Sequence, residues 1–568
     1  MPTIEVDLND LQKLLGVELP EETEKLDDIL AYVKGEVKAR LGSEIHIEIK
    51  DSNRPDIWSV EGLARALKGY LGIERGPKRY RVAGESGVKI RVDPRLKEIR
   101  PYIACAVIKG LELDDITIRS FIHLQDKLDL TYGRRRGRTS IGLYDFGLIK
   151  PPLEYTVSKP REISFVPLGF EEELTLEEIL EKHPKGIEYG HIVKRFSIWP
   201  ILYDSRKKVL SFPPIINSND LGRITEETKE VLIEVTGTRL DVVLNTLNMV
   251  AIAMCDRGGE VYSAEVHYAY GGKEVVTTPQ FYTEKMSLEL RYLENVLGLK
   301  MKPKDVKDLL LKARFGVTSI NEKEVVVEVP FYRIDVMHPV DLVEDIAIAY
   351  GYDRIQPRWS PPATIGGLTP EREFCDLVRE LMVGLGYQEV LTFTLTNPEN
   401  LFDKMNVKRG KAIEVANPKI RNFTHLRTWI LPSLMEFLSH NTHVDYPQKI
   451  FEVGIAVVPT QQAENKCIDV NKLACVTAHV DADFTEVKST LNALLLNLGL
   501  EPRYEDVRHG SFIEGRAAEV YVQGKSIGIL GEINPVVLEN WGLEVPASAF
   551  ELNLDSIFRL KGEEREKE

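Results

Sequence analysis

The chain is divided by Gln356-Pro-Arg-Trp-Ser-Pro-Pro-Ala-Thr-Ile-Gly-Gly-Leu-Thr-Pro370, a stretch that is rich in proline and glycine. Proline lacks the backbone N–H that a helix or a central strand requires, and glycine loses more conformational entropy than any other residue when it is ordered. This composition is typical of a connection between folded units. The sequence therefore predicts a linker at residues 355–370, with separate domains on either side.

The length and charge of the chain limit its class. It has 568 residues, more than one hydrophobic core usually supports, so we expect several domains. The net charge of −15 argues against a protein that coats nucleic acid through bulk attraction, and any contact with RNA must be local. The first residues do not resemble a signal peptide and no apolar run is long enough for a bilayer, so we expect a cytoplasmic protein.

Three modules are predicted before the linker. Residues 1–85 read as a small mixed module, with a helix over Thr23–Leu41. Residues 86–276 alternate short β-rich runs with helices, which predicts one large α+β domain. Residues 277–354 combine helices with a β segment and a final helix from about Pro339, the pattern of a helix-and-wing (winged-helix-like) module.

One domain and a short tail are predicted after the linker. Residues 371–560 mix strands and helices and are long enough for a single α/β domain. Residues 561–568 are rich in Glu and Lys and too polar to pack, so we expect a disordered tail. The fold class predicted for the whole chain is a multidomain α+β protein.

The clearest chemical signal is a group of four acids, Asp335, Asp341, Glu344 and Asp345. Pro339 suits the first position of a helix, and the spacing of the last three acids then places them on one helix face, with Asp335 in the preceding loop. Each like-charge pair at roughly 5–6 Å would cost on the order of 3 kcal/mol at an effective dielectric of about 20. A cation would remove that cost, and ligands that are all oxygen favour Mg²⁺. An acidic first helical turn without any metal is the alternative.

A second candidate site combines a loop and a strand. Two prolines in Ser211-Phe-Pro-Pro-Ile-Ile-Asn217 exclude a helix, so we expect a rigid extended loop in which Ser211 and Asn217 are the polar residues. Polar and apolar residues alternate over Ile233–Thr238, which predicts a half-buried strand with Glu234 and Thr236 on its polar face. A pocket for a small polar ligand and an ordinary polar strand face beside a turn are both consistent with these residues.

A basic turn, Gly133-Arg-Arg-Arg-Gly-Arg138, is the third candidate. Its guanidinium groups could hold RNA phosphates. Ion pairs with another subunit, or a turn that is simply solvated, are the alternatives.

Four stretches resemble one family when they are taken in order: Ser52-Asn-Arg-Pro-Asp-Ile-Trp-Ser-Val-Glu-Gly-Leu-Ala-Arg65, Arg138-Thr-Ser-Ile-Gly-Leu-Tyr-Asp145, Phe212-Pro-Pro-Ile-Ile-Asn217 and Asp256-Arg-Gly-Gly259. The family is the phenylalanyl-tRNA synthetase beta subunit, in its shorter, archaeal-type form. The resemblance implies that residues 86–276 are a module that hydrolyses tyrosine wrongly attached to the phenylalanine tRNA. It also implies an editing pocket and a magnesium site, whose residues are Ser211, Asn217, Glu234 and Thr236 for the pocket and Asp335, Asp341, Glu344 and Asp345 for Mg²⁺.

The last domain resembles a degenerate class II synthetase catalytic domain, through Leu426-Arg-Thr-Trp-Ile-Leu-Pro-Ser-Leu434 and Lys449-Ile-Phe-Glu-Val-Gly454. A working site needs arginines that hold the phosphates of ATP. The strand that continues as Ile455–Gln461 has no Arg-x-Glu, and neither Ile527–Asn534 nor Phe550–Leu554 supplies Gly-x-Gly-x-x-Arg. We therefore expect no ATP chemistry on this chain.

The resemblance implies a role within a ligase that forms Phe-tRNA(Phe) from L-phenylalanine, ATP and tRNA(Phe). A separate alpha subunit would carry synthetic catalysis in a heterotetramer of two alpha and two beta chains, and would bind ATP and phenylalanine. This chain would supply assembly, contacts with tRNA(Phe) and editing. Two alternatives remain open: a stand-alone hydrolase that edits in trans, and a non-enzymatic assembly or RNA-binding subunit.

Overall fold

The structure is a computed structural model that describes residues 2–270, 275–360 and 364–565. The chain forms a mixed α/β fold in two compact units, residues 1–358 and 359–568. The division between them falls inside the stretch that is rich in proline and glycine. Within the described residues, no helix is both long and apolar enough to cross a membrane.

The first unit begins with a small sheet in which β3 lies between β1 and β2, packed against three helices. The helix predicted over Thr23–Leu41 is wrong beyond Leu30. Lys34 adopts a left-handed backbone with φ of 51°, which a continuing helix does not allow, and the chain then pairs with β3 as a strand from Gly35. The elements are β1 (Thr3–Asp7), α1 (Leu8–Leu15), α2 (Thr23–Leu30), β2 (Gly35–Leu41), β3 (Glu44–Ile49) and α3 (Val60–Tyr70).

Residues 84–278 carry the largest sheet of the first unit. Its strands alternate with helices, as the predicted α+β pattern requires. The elements are β4 (Gly84–Val92), β5 (Tyr102–Lys109), α4 (Asp115–Leu130), β6 (Thr139–Asp145), β7 (Leu153–Ser158), β8 (Ser164–Phe165), β9 (Leu174–Thr175), α5 (Leu176–Lys182), α6 (Pro184–Tyr189), β10 (Trp199–Tyr203), β11 (Val209–Phe212), β12 (Ile216–Asn217), β13 (Glu230–Gly237), α7 (Leu240–Asp256), β14 (Glu260–Tyr268) and β15 (Val275–Thr278).

The strand order in this sheet is β12-β11-β10-β7-β4-β14-β5-β13-β6, and β15 pairs with β14. Strand β13 is covered on both faces, which corrects the prediction of a half-buried strand. On one face, Val231, Ile233 and Val235 pack in a core with α4 and α7; on the other, Leu232 belongs to a second core. Because side chains alternate along a strand, Glu234 lies on the same face as Leu232 and away from those helices.

The segment with two prolines is a tight hairpin, and the extended loop predicted there is wrong. Strands β11 and β12 pair so that Ser211 lies opposite Asn217. The backbone N–H of Ile215 donates to the carbonyl of Phe212 at 2.7 Å and closes the turn. The pairing places the two polar residues side by side, because paired residues lie directly across from each other.

A second small sheet, in which β18 lies between β16 and β17, completes the first unit together with three helices. The helix predicted from about Pro339 is confirmed, since it begins at that residue and ends at Tyr350. Proline has no N–H to lose at this first position. The elements are β16 (Glu284–Glu289), α8 (Leu290–Leu297), α9 (Pro303–Lys312), β17 (Gly316–Ile320), β18 (Glu324–Val329) and α10 (Pro339–Tyr350).

The second unit is built on a mostly antiparallel sheet. Its elements are α11 (Pro370–Gly384), β19 (Gln388–Glu389), β20 (Leu395–Thr396), β21 (His425–Leu426), α12 (Leu431–His440), β22 (Gln448–Pro459), β23 (Cys467–Ala478), α13 (Phe484–Asn497), β24 (Pro502–Asp506), β25 (Phe512–Val522), β26 (Lys525–Ile533), α14 (Pro535–Trp541), β27 (Ala547–Asn553) and α15 (Leu554–Arg565). The strand order is β19-β22-β23-β27-β26-β25-β24, and among the described residues of this sheet only the β19–β22 pair is parallel.

Helices cover both faces of this sheet. One core holds α11, α13 and α15, and the other holds α12 and α14. The tail predicted as disordered at 561–568 is helical as far as Arg565, because Lys, Glu and Arg favour a helix and extend α15. The rest of that predicted tail, residues 566–568, lies outside the described residues.

Candidate functional site

A cavity of about 440 Å³ lies where the two ends of the large sheet meet. Ser211 and Asn217 of the β11–β12 hairpin line it from one end of the strand order, and Ser140 and Glu234 line it from the other. The Tyr144 hydroxyl lies 3.2 Å from Asn217 Oδ1 and joins the two ends. Three of the four residues predicted for a pocket are therefore brought together.

The carboxylate of Glu234 is the polar centre of this cavity. The side chain is 3% exposed, and its Oε2 accepts a hydrogen bond of 2.8 Å from the Tyr144 hydroxyl. Its Oε1 is buried and makes no hydrogen bond with any described residue, and the same holds for Ser211 Oγ. Buried polar atoms usually have partners, so these two atoms beside one cavity are available to bond to water or to a ligand.

Burial raises the pKa of Glu234 to about 7, although the hydrogen bond from Tyr144 and the charge of Arg100 act in the opposite direction. Burial also raises the pKa of Tyr144 well above its usual value, so its hydroxyl keeps its proton at neutral pH. The pair therefore combines a permanent donor with a carboxyl group that ionises near neutrality. Carboxyl groups with such a shift are typical of functional sites.

Gly142 has no side chain, and this leaves room for the Tyr144 hydroxyl and the Glu234 carboxylate. It lies directly opposite Glu234 in the neighbouring strand β6. A Cβ atom at this position would clash with the Tyr144 hydroxyl and lie 2.7 Å from Glu234 Oε2. Glycine is therefore required here for reasons of space.

Thr236, the fourth predicted pocket residue, does not line the cavity. Its Oγ1 accepts a hydrogen bond of 2.9 Å from Nε of Arg100, which is itself 2% exposed. Arg100 also donates to Ser140 Oγ at 3.0 Å, and burial lowers its pKa. Thr236 thus anchors a buried cation close to Glu234, and its hydroxyl, which also lies 3.2 Å from Ser140 Oγ, keeps its own proton to donate.

Arg136 holds the hairpin wall in place. Its Nη1 donates to the carbonyls of Pro214 and Ile215 at 3.2 and 2.8 Å. Its Nε lies 3.0 Å from Asp129 Oδ2 on α4, and its guanidinium stacks 4.5 Å from the ring centroid of Tyr189. One buried side chain therefore connects a helix, a hairpin and an aromatic ring.

The basic turn at 133–138 is divided between the interior and the surface. Arg134, Arg135 and Arg136 have φ of 49°, 51° and 62°, a left-handed run that non-glycine residues rarely adopt. The run turns Arg136 into the protein, while Arg134 and Arg135 stay exposed. Strain of this kind persists only where surrounding contacts maintain it, and here Arg136 makes them.

Sequence reasoning missed Tyr144, Gly142, Arg100 and Arg136 as parts of the site. The first two lie within the stretch 138–145, where only strand register places them beside Glu234. Arg100 precedes β5 in a turn without any motif. Arg136 belongs to the basic turn singled out above, but no local signal connected any of these residues with the pocket.

The four acids predicted as metal ligands line one small cavity of about 20 Å³, so the predicted convergence is present. Arg333 pairs with Asp335 at 2.8 Å and with Asp345 at 2.5 Å. Asp341 accepts from the backbone N–H groups of the loop before its own helix, and Glu344 pairs with Lys34 at 2.5 Å. Each acid therefore has a partner within the protein.

Charge and geometry give different answers about a metal at this cavity. Its lining has five carboxylates, with Asp51 as the fifth, and three basic groups, so two negative charges remain if all are ionised. Burial opposes ionisation of Asp335, but Arg333 and Arg54 outweigh it and hold its pKa below the usual value. Among the residues that the structure describes, however, no group of three His, Cys, Asp or Glu is arranged to hold a metal ion.

A buried ion pair occupies the core of the second unit. Arg427 is 2% exposed, and its Nη2 donates to Glu452 Oε1 at 2.7 Å. Its Nη1 donates to Thr392 Oγ1 at 2.8 Å, and its Nε donates to the carbonyl of Ile455 at 2.9 Å. Arg427 is the arginine of the Leu426–Leu434 stretch, and its donors are taken up by the protein.

Comparisons with known proteins identify the family. The family model described as phenylalanyl tRNA synthetase beta chain CLM domain matches residues 357–554, and the tRNA synthetase B5 domain matches residues 286–352. The phenylalanine–tRNA ligase beta subunit of Pyrococcus horikoshii is 44% identical over 564 residues, which cover 98% of this chain and all of that protein. The corresponding subunit of Thermofilum pendens is 39% identical over 559 residues, 98% of each chain.

The chain belongs to the phenylalanine–tRNA ligase beta subunit family. A solved N-terminal fragment of the phenylalanyl-tRNA synthetase beta subunit from Pyrococcus horikoshii is similar, with a TM-score of 0.59 and 42% identity. It aligns over its whole length and covers 62% of this chain. The resemblance that the sequence motifs carry is therefore confirmed, and the mixed α/β fold is that of a beta subunit.

Proposed function

We propose that this phenylalanine–tRNA ligase beta subunit edits, by hydrolysing tyrosine that has been wrongly attached to tRNA(Phe) in the cavity over Glu234. The observation that carries the proposal is Oε1 of Glu234, a buried carboxylate oxygen without a partner among the described residues. A cavity of about 440 Å³ also suits an amino acid ester, since small-ligand sites usually measure roughly 300–1,000 Å³.

The proposed pocket separates tyrosine from phenylalanine by one hydroxyl. The tyrosine hydroxyl donates to Glu234 Oε1 and satisfies an oxygen that burial has stripped of water. Phenylalanine would enter without a donor and leave the carboxylate unpaired, which is strongly unfavourable. Sites built to bind a hydroxyl reject the analogue that lacks it far better than an apolar pocket rejects an added hydroxyl. An editing site on this chain would therefore remove the tyrosine that an apolar synthetic site attaches by mistake.

Hydrolysis in this pocket would use a bound water. Its oxygen adds to the carbonyl carbon of the aminoacyl ester, and the ribose oxygen leaves with a proton. Neither histidine nor cysteine is found among the described residues that line the cavity, so a Ser-His-Asp or Cys-His mechanism has no support. Ser211 Oγ, which is buried and unpaired, offers a donor and an acceptor to the substrate or to that water.

The editing proposal is tested with purified chain, expressed alone and together with an alpha subunit. We expect hydrolysis of Tyr-tRNA(Phe) by the wild type, and a loss of about 10²-fold in kcat/KM for Glu234→Ala. Glu230→Ala is the matched control, because Glu230 lies on the same strand but does not line the cavity. Equal losses in both variants, or no hydrolysis by the wild type, would contradict the proposal.

Synthetic catalysis is proposed to lie on a separate alpha chain, within a cytoplasmic heterotetramer of two alpha and two beta chains. Residues 371–560 would be a degenerate class II catalytic domain that lacks the arginines for ATP, and the arginine of its Leu426–Leu434 stretch, Arg427, is committed to Glu452 and Thr392. Exposed apolar residues favour a protein partner for this unit: Leu391 is 89% exposed and Phe393 is 75% exposed. Charging of tRNA(Phe) by the lone chain would overturn this proposal.

The editing module is proposed to span residues 86–276, after the N-terminal module at 1–85. A winged-helix-like module at 277–354 is proposed to bind Mg²⁺ through Asp335, Asp341, Glu344 and Asp345. Five carboxylates face three basic groups around one small cavity, and this excess of two negative charges when all are ionised supports a divalent cation. The ion would neutralise those charges and tie the loop before α10 to the helix. Lys34 would have to leave Glu344 for that oxygen to reach a metal.

Bound metal can be measured directly in the purified chain. We expect Mg²⁺ in the wild type and its loss in Asp341→Ala/Glu344→Ala. The control is Asp305→Ala/Asp308→Ala, which removes two exposed acids from α9 of the same module. Unchanged metal content in the first variant would refute the assignment to these acids. No metal in the wild type would mean that the basic residues alone neutralise the cluster.

The alternatives predict different behaviour. A hydrolase that edits in trans would deacylate Tyr-tRNA(Phe) as a monomer after removal of the second unit, and would not co-purify with an alpha chain. A non-enzymatic subunit would bind alpha and tRNA but would not deacylate in either state. Co-purification of this chain with an alpha chain, combined with deacylation of Tyr-tRNA(Phe), favours an editing subunit of the ligase.

A further inference from the structure

Basic side chains stand beside the cavity of Glu234. Lys185 and Arg223 line it, and Arg223 is exposed and forms no ion pair with a described residue. Arg135 lies next to Lys185, because both approach one carboxylate: Glu188 Oε1 is 3.8 Å from Arg135 and Oε2 is 3.7 Å from Lys185. We call Arg135, Lys185 and Arg223 the basic rim.

The charge of the basic rim contrasts with that of the chain, whose net charge is −15. Glu188 is shared between two cations at distances beyond a close ion pair, so it neutralises the rim only in part. The only carboxylates among the described residues that line the cavity are Asp126 and Glu234, and burial of Glu234 raises its pKa to about 7. A local excess of positive charge is thus maintained within an acidic protein, where a polyanion would not otherwise bind.

We propose that the basic rim binds phosphodiester groups of the 3′-terminal nucleotides of the tRNA, so that the terminal aminoacyl ester enters the cavity. The proposal rests on the proposed editing function, because the tyrosyl group attached to the terminal ribose must enter the cavity far enough for its hydroxyl to reach Glu234. The phosphodiesters of a single strand follow directly behind that ribose. Cations that hold them must therefore stand beside the cavity and not at its base, as the basic rim does.

The chemistry of the basic rim suits a backbone contact without sequence preference. Arginine presents a planar set of donors that fits two phosphate oxygens, while lysine acts as a point charge. Contacts with phosphates fix position but read no base. Tyr189 is buried beneath Arg136 and is 3% exposed, so it offers no platform on which a base could stack. The basic rim would therefore orient the strand, and the cavity would select the amino acid.

The test compares two substrates of the full chain in complex with an alpha subunit. One is Tyr-tRNA(Phe); the other is 3′-O-tyrosyl-adenosine, which has the ester but no phosphodiester. For the variant Arg135→Ala/Lys185→Ala/Arg223→Ala we expect KM for Tyr-tRNA(Phe) to rise at least about 10-fold, with kcat nearly unchanged. The kcat/KM for tyrosyl-adenosine should stay within about two-fold of wild type, because it makes no phosphate contact.

A control removes three cations that do not line the cavity, two exposed and one half-buried, through Lys89→Ala/Arg95→Ala/Lys109→Ala. It should leave both substrates nearly unchanged. The salt dependence of Tyr-tRNA(Phe) binding should become shallower by about 2 in log–log slope only in the rim variant, at roughly 0.7 per contact with a single strand.

Three outcomes overturn the proposal: equal losses on both substrates, no loss on either, or an equal loss in the control. If the wild type hydrolyses neither substrate, the editing function fails, and the basic rim is then judged by binding alone. A fluorescent single-stranded RNA that ends in CCA should bind the rim variant about 10-fold more weakly than the control variant. Equal affinities would exclude the basic rim as a phosphate site.

Discussion

The Tyr144 hydroxyl donates a 2.8 Å hydrogen bond to Oε2 of Glu234, and this contact leaves the other carboxylate oxygen unpaired. The hydroxyl fixes the orientation of a buried acid that would otherwise rotate. Because burial raises the pKa of the Tyr144 phenol, it keeps its proton and donates to the ionised carboxylate. When Glu234 is protonated, either the phenol or the carboxyl group can be the donor, so the hydrogen bond remains. The geometry of the proposed pocket depends on this pair.

The first prediction concerns Gly142. In Gly142→Ala the new methyl group would collide with the Tyr144 hydroxyl and with Glu234 Oε2, and the pair would have to separate. We expect the preference for Tyr-tRNA(Phe) over Phe-tRNA(Phe) in deacylation to fall by at least about 10-fold, since an oriented acceptor is lost. The control is Gly84→Ala, where an added Cβ would make ordinary contact at 3.5 Å. A similar loss in both variants would contradict the role of Gly142.

The second prediction concerns the pH dependence of stability. Glu234 titrates at about 4.3 in an unfolded chain and at about 7 in the fold. Its folded pKa is the higher one, so its contribution to stability is fully present below pH 4 and is lost as the pH rises through 7. We expect the unfolding free energy of Glu234→Gln, relative to that of the wild type, to increase by on the order of 3 kcal/mol as the pH rises from 4 to 8.

The measurement is urea unfolding of both proteins at several pH values. Burial also raises the pKa of the buried Asp129 to about 7, and its charge raises that of Glu234. Asp129 is present in both proteins, so only the part of its titration that depends on Glu234 enters the difference. A difference that does not change with pH would show that Glu234 stays ionised or stays neutral throughout.

The third prediction concerns Arg333, which is 5% exposed and pairs with Asp335 and Asp345. Arg333→Met keeps most of the side-chain volume but leaves two buried carboxylates without their main partner. We expect a loss of about 3–5 kcal/mol in the unfolding free energy of the first unit. Arg79→Met is the control, because its partner Glu328 sits in an exposed pair worth less than about 1 kcal/mol. Hydrogen exchange in α10 reports the effect locally, and equal protection in both variants would refute it.

The fourth prediction concerns the surface around Phe393 of the second unit. Phe393 is 75% exposed and packs against the ring of Phe423 at a centroid distance of 5.6 Å. We expect Leu391→Asp/Phe393→Asp to weaken co-purification with an alpha chain by at least about 10-fold, because charges would be buried at the contact. Hydrolysis of 3′-O-tyrosyl-adenosine should persist. Leu496→Asp, at another exposed apolar residue, should leave the association intact.

Much of the local structure could be predicted from residue patterns. Pro339 marked the start of α10, and the β segment expected in the same module is the strand Glu324–Val329. The prediction failed where long-range pairing competes with local propensity. Residues 35–41 favour a helix on their own, but pairing with β3 and the left-handed Lys34 make them a strand.

The candidate site shows the same division. Ser211, Asn217 and Glu234 were identified from motifs that resemble a family, and the structure gathers them around one cavity. Thr236 was expected beside them, but its hydroxyl accepts a hydrogen bond from Arg100. No sequence pattern near residue 236 predicts that contact. Tyr144 and Arg136 lie in stretches that the sequence singled out, but their place in the pocket was not predicted, because their contacts come from strand register and from a left-handed turn.

The sequence by itself determined the family, the position of the linker and the acids and polar residues available for chemistry, because these depend on residue type and order. Only the tertiary structure decided which of those groups lack a partner. Whether Glu234 keeps an unpaired oxygen, and whether Asp345 is held by Arg333, depends on side chains far apart in the chain. Burial removes water from these groups, and only their three-dimensional neighbours can replace it.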